Sequence, residues 1–330
     1  MHIVVTGGAG FIGRAVVHEL VARGDTVTAL VRDPHRAAHL AHERVTLVAS
    51  DLADKAALQA TMRGADAVIH GAGRYRVGLL ASEHPAMLDA NLGATERVLD
   101  AAIAAKVPRI VCVSTVNIFG DTHGAVVDET YRRPATDGFL SWYDETKLRA
   151  HEAAQVRIAG GAPIVIAQPG FVYGPNDHSL SSRQLELAHA GKLLYIAFTD
   201  LGAAWVHVHD LAGGIVAALD RGRSGEAYVL AGEPRRMGES IATAARIGGH
   251  RPPRLIIPTG FLRLIAPLND RVGHLPMMPT GLREVISASA GVTYWASHDK
   301  ATRELGFAPR TLEQGIIDTW GAGVTDGGAA

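Results

Sequence analysis

The sequence predicts an α/β protein built on a doubly wound parallel sheet, with a smaller mixed α/β C-terminal region expected to act as a substrate-binding lid. Three observations predict it. Six short runs rich in Val and Ile recur through the first half of the chain. Amphipathic stretches of helical period separate them. A glycine-rich turn, TGGAGFIG, directly follows the first run. Strand, helix, strand at this spacing implies parallel pairing with right-handed crossovers, and ligands are then expected at the carboxyl ends of the strands.

In order, the strands are HIVVT (2–6), TVTALV (26–31), VTLVA (45–49), AVIHG (67–71), RIVCVS (109–114) and PIVIAQ (163–168). Each is short, rich in Val and Ile, and bounded by Gly, Pro, Asp or Ser, as strands buried on both faces are. Helical patterns lie at about 13–23, 55–63, 87–105 and 143–158. WVHVH (205–209) reads as a seventh strand and DLAGGIVAALD (210–220) as a helix, both returning to the sheet. Residues 1–168 are therefore expected to form a dinucleotide-binding domain to which 203–231 returns. Residues 169–202 and 232–330, where prolines separate helices and alternation is sparse, form the substrate-binding domain. The tail GAGVTDGGAA is expected to fray.

The chain has 330 residues, 47% hydrophobic and 20% charged, with a formal net charge of -1. A balance so close to zero gives no electrostatic reason to expect nucleic acid or an anionic membrane as partner. The single cysteine, Cys112, lies in an apolar run and reads as a core residue; one cysteine excludes an internal disulfide and fits a reducing compartment. No apolar run is long enough for a transmembrane helix. The chain opens directly into a strand and a glycine turn rather than a signal segment, so a cytoplasmic location is expected.

Gly7, Gly10 and Gly13 have the spacing G-x-x-G-x-x-G, and Gly8, Gly10 and Gly13 also fit G-x-G-x-x-G. Residues without Cβ permit the tight turn, the approach of a pyrophosphate to the backbone and close packing of helix on strand. The helix N-terminus then faces the phosphates. The position between a strand and a helix is the context a dinucleotide site requires. A chain selective for NAD ends its second strand with an acid for the ribose 2′-hydroxyl. Here Val31 stands there and Arg32 follows, with Asp33 displaced. A guanidinium suits a 2′-phosphate, so NADP (NADPH) is the expected cofactor and NAD the less favoured one. Arg14 and Arg36 are candidate helpers. The bland alternative is that Arg32 is a solvated loop residue and either cofactor binds.

In YDETK (143–147), Tyr143 and Lys147 stand at i and i+4 on one helix face. A free phenol is a poor acid–base group at neutral pH. A nearby ammonium, together with the positive ring of an oxidised nicotinamide, is expected to favour the phenolate. VSTVNIFG ends the fifth strand, and Thr115 is preferred over Ser114 as the hydroxyl facing the cleft, since neighbours on a strand point to opposite sides.

The ordered set TGGAGFIG, SDL (50–52), VIHGAG (68–73), NLGATERVLDAA (91–102), VSTVNIFG (113–120), YDETK, QPGFVYGP (168–175) and VHVHDLA (206–212) resembles the extended short-chain dehydrogenase/reductase family, the NAD-dependent epimerase/dehydratase superfamily. DKATRELGFAPRTLEQG (299–315) resembles its C-terminal signature, so the likeness spans nearly the whole chain. VRDPHR and the GAGRYR loop look like its dihydroflavonol reductase-like branch, and chains named as hopanoid-associated sugar epimerases are also similar. The resemblance implies a Rossmann fold and the catalytic set Thr115, Tyr143 and Lys147, with Lys147 also holding the nicotinamide ribose. It implies that Asp51 and Leu52 meet the adenine. It places Phe11, Ile12, Gly71, Ala72, Gly73, Asn91, Pro169, Gly170 and Val172 along the dinucleotide, though Asn91 could instead cap its helix. The helices near 87–105 and 143–158 are the family's usual homodimer face. His207 and His209 alternate in the strand reading without a suitably spaced third ligand, so no metal is expected; Asp210 is a candidate helix cap.

Related enzymes acting on nucleotide-sugars carry an arginine just before the V-H-V strand, where this chain has LGAAWVHV (201–208). The dehydratases among them also use an acidic pair next to the catalytic hydroxyl, where Val116 and Asn117 stand here. Arg183, Arg235 and Arg236 remain the candidate phosphate-binding arginines. FLRLIAPL (261–268), LPMMP (275–279) and Trp295 suit an uncharged or aromatic substrate, or form the lid's own core. The expected function is NADP(H)-dependent reduction of a small or medium hydrophobic ketone or aldehyde, reversible as alcohol oxidation. The alternatives are a nucleotide-sugar epimerase or dehydratase with tightly bound NAD, and a cofactor-sensing regulator, against which the intact Thr–Tyr–Lys set argues.

Overall fold

A computed structural model describes residues 1–271 and 279–322. In chain order the elements of the first half are β1 (His2–Thr6), α1 (Phe11–Ala22), β2 (Thr26–Val31), β3 (Val45–Ala49), α2 (Lys55–Met62), β4 (Ala67–His70), α3 (His84–Leu88), α4 (Ala94–Ala104), β5 (Ile110–Val113), α5 (Trp142–Ala159) and β6 (Ile164–Pro169). There follow β7 (Phe171–Tyr173), α6 (Leu180–His189), β8 (Tyr195–Ala197), β9 (Gly202–His207), α7 (Val208–Arg221), β10 (Ala227–Leu230), β11 (Pro234–Arg236) and α8 (Met237–Ile247). The last are β12 (Leu255–Ile257), α9 (Thr259–Arg271), α10 (Leu282–Ser287), α11 (Asp299–Leu305) and α12 (Leu312–Trp320).

The main sheet runs β3-β2-β1-β4-β5-β6-β10, and every pairing in it is parallel. The order reverses between β1 and β4, where Thr6 is opposite His70. A crevice opens outside the strand ends at such a switch point. One face of the sheet packs on α1, α7 and α11 through Val5, Val17, Leu211, Ile215 and Phe307. The other packs on α2, α4 and α5 through Leu58, Val98, Leu99, Ala154 and Cys112. Cys112 is a buried free thiol.

A second lobe holds a mixed sheet β11-β9-β7, the pair β12-β8 and the helices around them. Its core gathers Tyr173, Leu185, Trp205, Ile241, Tyr294 and Ile316. Among the described residues no helix is long and apolar enough to cross a membrane.

Three sequence readings need correction. The expected strand at 205–209 runs 202–207 and lies in the small sheet, between β7 and β11. The imidazole of His207 accepts the His209 amide at 3.3 Å and caps α7, so His209 is helical rather than on a strand. The seventh strand of the large sheet is β10, whose four residues AYVL pair with β6. The helix expected at 87–105 starts at His84 and passes through a π-helical turn, Asp89–Gly93, before α4. Much of LPMMP and the tail from 323 lie outside the described residues.

The chain leaves β10 under the backbone of Trp205. A Cβ built on Gly232 would stand 2.0 Å from the Trp205 carbonyl oxygen. The crowding is against backbone, which cannot swing aside as a side chain can. Gly232→Ala is therefore expected to destabilise the protein by about 1–3 kcal/mol, measured as a lower urea midpoint at unchanged m-value.

Candidate active site

The carboxyl ends of β1, β4, β5 and β6 surround a cavity of about 220 Å³ that reaches into the second lobe. On the sheet side, β1 ends in the glycine turn. Gly7 has φ +74, and a Cβ there would lie 2.7 Å from the Ala72 nitrogen, so the turns after β1 and β4 touch backbone to backbone. A Cβ on Gly13 would stand 2.0 Å from the Gly7 carbonyl oxygen, which is how α1 sits so close to the turn. The turn closes with the Gly10 amide donating to the Gly7 carbonyl at 2.9 Å. Gly10 caps α1 without a side-chain acceptor, and no acid stands in the first turn. Those N–H groups are left for an anion, and the chemistry of the turn fits a pyrophosphate.

The turn after β4 is braced from beneath by a buried polar chain. Thr6 Oγ1 lies 2.7 Å from His70 Nδ1, and His70 Nε2 lies 2.9 Å from Thr95 Oγ1. Thr95 donates to the Asn91 carbonyl at 2.6 Å. The Asn91 side chain accepts the Arg74 amide at 2.7 Å and donates to the Arg74 carbonyl and to Thr146. Asn91 lies in the π-turn; its side chain clamps the 71–76 loop rather than capping the helix. Burial, with the Lys147 charge nearby, pushes His70 down to about 3.

α5 begins at Trp142 because the Ser141 hydroxyl accepts the Asp144 amide and Asp144 and Glu145 complement the helix dipole. This sets Tyr143 in the first turn and Lys147 one turn later, both half-buried on the cavity wall. Lys147 Nζ donates to the Val113 carbonyl at 3.0 Å, which ties the helix to the end of β5. Burial lowers the Lys147 pKa. Thr115 is buried at the start of a short 3-10 turn, where its hydroxyl donates to Asn117 Oδ1 at 3.1 Å, and it lines the cavity with Tyr143. Ser114 Oγ turns instead to His151 Nδ1 at 3.0 Å.

The lowered phenol pKa expected from the Tyr–Lys spacing is absent in the protein alone. Burial raises the Tyr143 pKa, with Tyr75 and Asp144 adding to it, and the neighbouring Thr115 hydroxyl opposes them. The Lys147 ammonium gives one of its three donors to the Val113 carbonyl.

The cavity thus brings together Phe11, Ile12, Gly71, Gly73, Asn91, Thr115, Tyr143, Lys147, Pro169, Gly170 and Val172 of the expected set. Asp51, Leu52, Arg32 and Arg36 lie outside it. Arg32 is exposed just past β2, and the Arg36 side chain is 91% exposed, 3.7 Å from Asp33. Asp51 is exposed after β3 and accepts the Ala53 amide, while Arg97 holds the Leu52 carbonyl at 2.8 Å.

Sequence reasoning missed the far wall. Phe171 and Trp205 line it edge to face, 5.8 Å between centroids, and Trp205 donates to Ser240 at 2.9 Å. Tyr75 stands at the mouth, its ring 4.8 Å from that of Tyr143 and nearly perpendicular. The alternation in GAAWVH was the available signal for Trp205, since it places that side chain opposite Ala204. The apolar lid residues do not line the cavity: Leu262 and Ala266 pack with Leu282 and Ile286 in a separate core, and Trp295 lies under Arg236. Arg183 pairs with Glu186, and Arg235 with Glu313 and Glu233. Among the described residues the cavity wall carries one arginine, Arg74.

A model of the NAD dependent epimerase/dehydratase family matches residues 3–231. A "4-hydroxy-2-methyl-3-oxo-4-farnesyl-3,4-dihydroquinoline-1-oxide ketoreductase" of Stigmatella aurantiaca is 28% identical over 322 residues, covering 96% of this chain and 95% of that one. Cinnamoyl-CoA reductase 2 of Arabidopsis thaliana is 31% identical over 262 residues, 74% of this chain and 76% of that one. Among solved structures, a UDP-glucuronic acid 4-epimerase of Bacillus cereus, in complex with UDP-glucuronic acid and NAD, superposes with a TM-score of 0.76 at 21% identity, covering 96% of each chain. At that identity the likeness is one of fold.

His70 and His151 are held neutral, at about 3 and about 4, chiefly by burial. Their folded values lie below the unfolded value near 6.5, so the unfolded chain binds more protons as pH falls and stability is lost. Each should contribute a slope of about 1.4 kcal/mol per pH unit below about pH 6. Urea titrations between about pH 7 and 5 should show His70→Gln with a shallower loss than the parent by about one proton. An unchanged slope would mean that His70 is charged in the native state.

Proposed function

Because the chain belongs to the NAD-dependent epimerase/dehydratase family, we propose that it is an NADP(H)-dependent oxidoreductase that reduces the ketone or aldehyde of a small-to-medium hydrophobic substrate, reversibly. The observation that carries this reading is the convergence of Thr115, Tyr143 and Lys147 on one cavity whose far wall is aromatic. A nucleotide-sugar would ask for guanidinium groups at its phosphates, and the candidate arginines are paired elsewhere. The ketoreductase and cinnamoyl-CoA reductase relatives lend the carbonyl reading support.

Bound at the glycine turn, the nicotinamide would supply hydride to the carbonyl carbon. Tyr143 gives its phenolic proton to the carbonyl oxygen, and Thr115 steadies that oxygen by a second hydrogen bond. Lys147 stabilises the phenolate left behind and holds the ribose. Burial keeps the proton on Tyr143, and the Lys147 charge, by favouring the phenolate, would bring its pKa toward the range a general acid needs. Phe171, Trp205 and Tyr75 exclude water and take up the apolar body of the substrate. NADP is favoured by Arg32, which is exposed where the 2′-phosphate of the adenosine would come and has no acid at Val31 to displace it. A homodimer through α4 and α5 is part of the same proposal; Ile103 and Val156 are exposed there.

Tyr143→Phe should lower turnover by about 10²–10⁴-fold while NADPH affinity, followed by fluorescence titration, stays within about threefold. Surviving turnover would overturn the role given to Tyr143. Arg32→Ala should weaken NADPH by about 10–100-fold and leave NADH unchanged. Tightly retained NAD in the purified protein would instead favour an epimerase or dehydratase.

A further inference from the structure

The reduction described above asks two hydroxyls to donate to one carbonyl oxygen. A threonine hydroxyl has a single proton, and that of Thr115 is engaged. Its Oγ1 donates to Asn117 Oδ1 at 3.1 Å and accepts the Asn117 amide at 3.3 Å. The side-chain amide of Asn117 is oriented from its other end, where Nδ2 donates to Asp144 Oδ1 at 3.0 Å. A carboxylate only accepts. An ionised Asp144 therefore takes the NH2 group, turns the amide oxygen toward Thr115 and keeps the hydroxyl proton there.

We propose, resting on the reductase reading of this site, that Asp144 is a positioning residue: through the Asn117 amide its protonation decides whether the Thr115 hydroxyl donates to Asn117 or to the substrate carbonyl. When Asp144 takes a proton from solvent, its O–H donates to the amide oxygen. The amide turns over, its NH2 donates to Thr115 Oγ1, and the Thr115 proton is released toward the cavity. No covalent bond other than the carboxyl O–H is made or broken.

The surroundings suit a group that changes charge near neutrality. Asp144 is 1% exposed. Burial pushes its carboxyl up to about 7, against hydrogen bonds from Asn117, Ser141 and Tyr294, while Glu284 adds to the rise. Tyr294 donates to Asp144 Oδ2 at 3.4 Å. The titratable groups facing Asp144 are Tyr143 on its own helix, Tyr75 from the loop after β4, Tyr294 from the segment before α11 and Glu284 on α10. The three phenols are neutral there, so within this set Glu284 is the other carboxyl. Glu284 is engaged by the amides of Gly78 and Leu79 at 2.8 and 3.0 Å.

Two measurements on the full chain test this. The first is NMR of the carboxyl carbons and Asn side-chain amides across pH, with no substrate. It should show a carboxyl titrating near 7 that is missing in Asp144→Asn, with the Asn117 NH2 resonances moving at the same midpoint. The second is the pH dependence of benzylacetone reduction by NADPH. The rate should fall by on the order of 10²-fold through that midpoint. In Asp144→Asn, whose amide can donate at every pH, the step should vanish. It should also vanish in Asn117→Leu, while the Asp144 carboxyl still titrates. A step that persists in Asp144→Asn, or an Asn117 amide indifferent to the carboxyl, overturns the proposal. Coupled titration without turnover at any pH would overturn the reductase reading and leave the relay supported.

Discussion

The contact on which the site depends is the close approach of two backbone turns, those after β1 and β4. Gly7 and Ala72 meet at a distance that no side chain on Gly7 would allow. That approach brings the first turn of α1 to the floor of the crevice, with its amides unopposed. It also fixes where the 71–76 loop leaves the sheet, and so where Tyr75 meets Tyr143. The same switch point would form in any sheet of this order. In this protein the polar chain Thr6–His70–Thr95–Asn91 ties the two turns to α4 and, through Thr146, to α5.

That chain is buried, and buried polar groups are tolerable when each has a partner. His70 is satisfied on both ring nitrogens while neutral. Lys147 finds one carbonyl and no carboxylate in the hydrogen bonds it makes among the described residues. The outcome is a local field biased toward positive charge beneath a helix N-terminus. Such a field is matched to an anionic ligand; burial, the largest cause in each case, depresses the pKa values of the cationic groups below the cavity and raises those of the phenols above it.

Much of this architecture was legible in the sequence, for physical reasons that differ by element. β1 to β6 announce themselves because strands covered on both faces are continuous apolar runs, and the glycine turn because only glycine satisfies its contacts. The Tyr143–Lys147 spacing reads directly as one helix face. β10 escaped because AYVL is too short to be told from a loop between helices. β9 was assigned to the wrong sheet because alternation gives a strand's faces but not its neighbours. Trp205 and Phe171 became cavity walls only through packing of one lobe on the other. Asp144 and Asn117 were visible within YDETK and VSTVNIFG, but their meeting depends on how α5 crosses the end of β5, which no local pattern encodes.

The position of β10 has a consequence for the modularity of the molecule. The strand that completes the large sheet arrives only after the chain has built β7, α6, β8 and β9 in the other lobe. The two lobes are thus interleaved along the chain rather than joined in tandem. A chimera spliced after β6 would leave the β6 edge bare, with its amides and carbonyls free to recruit a foreign strand, and would strip α7 from the face it covers. The second lobe therefore cannot be exchanged as a cassette. Change in the shape of the cavity has to proceed by point substitution around a wall both lobes share.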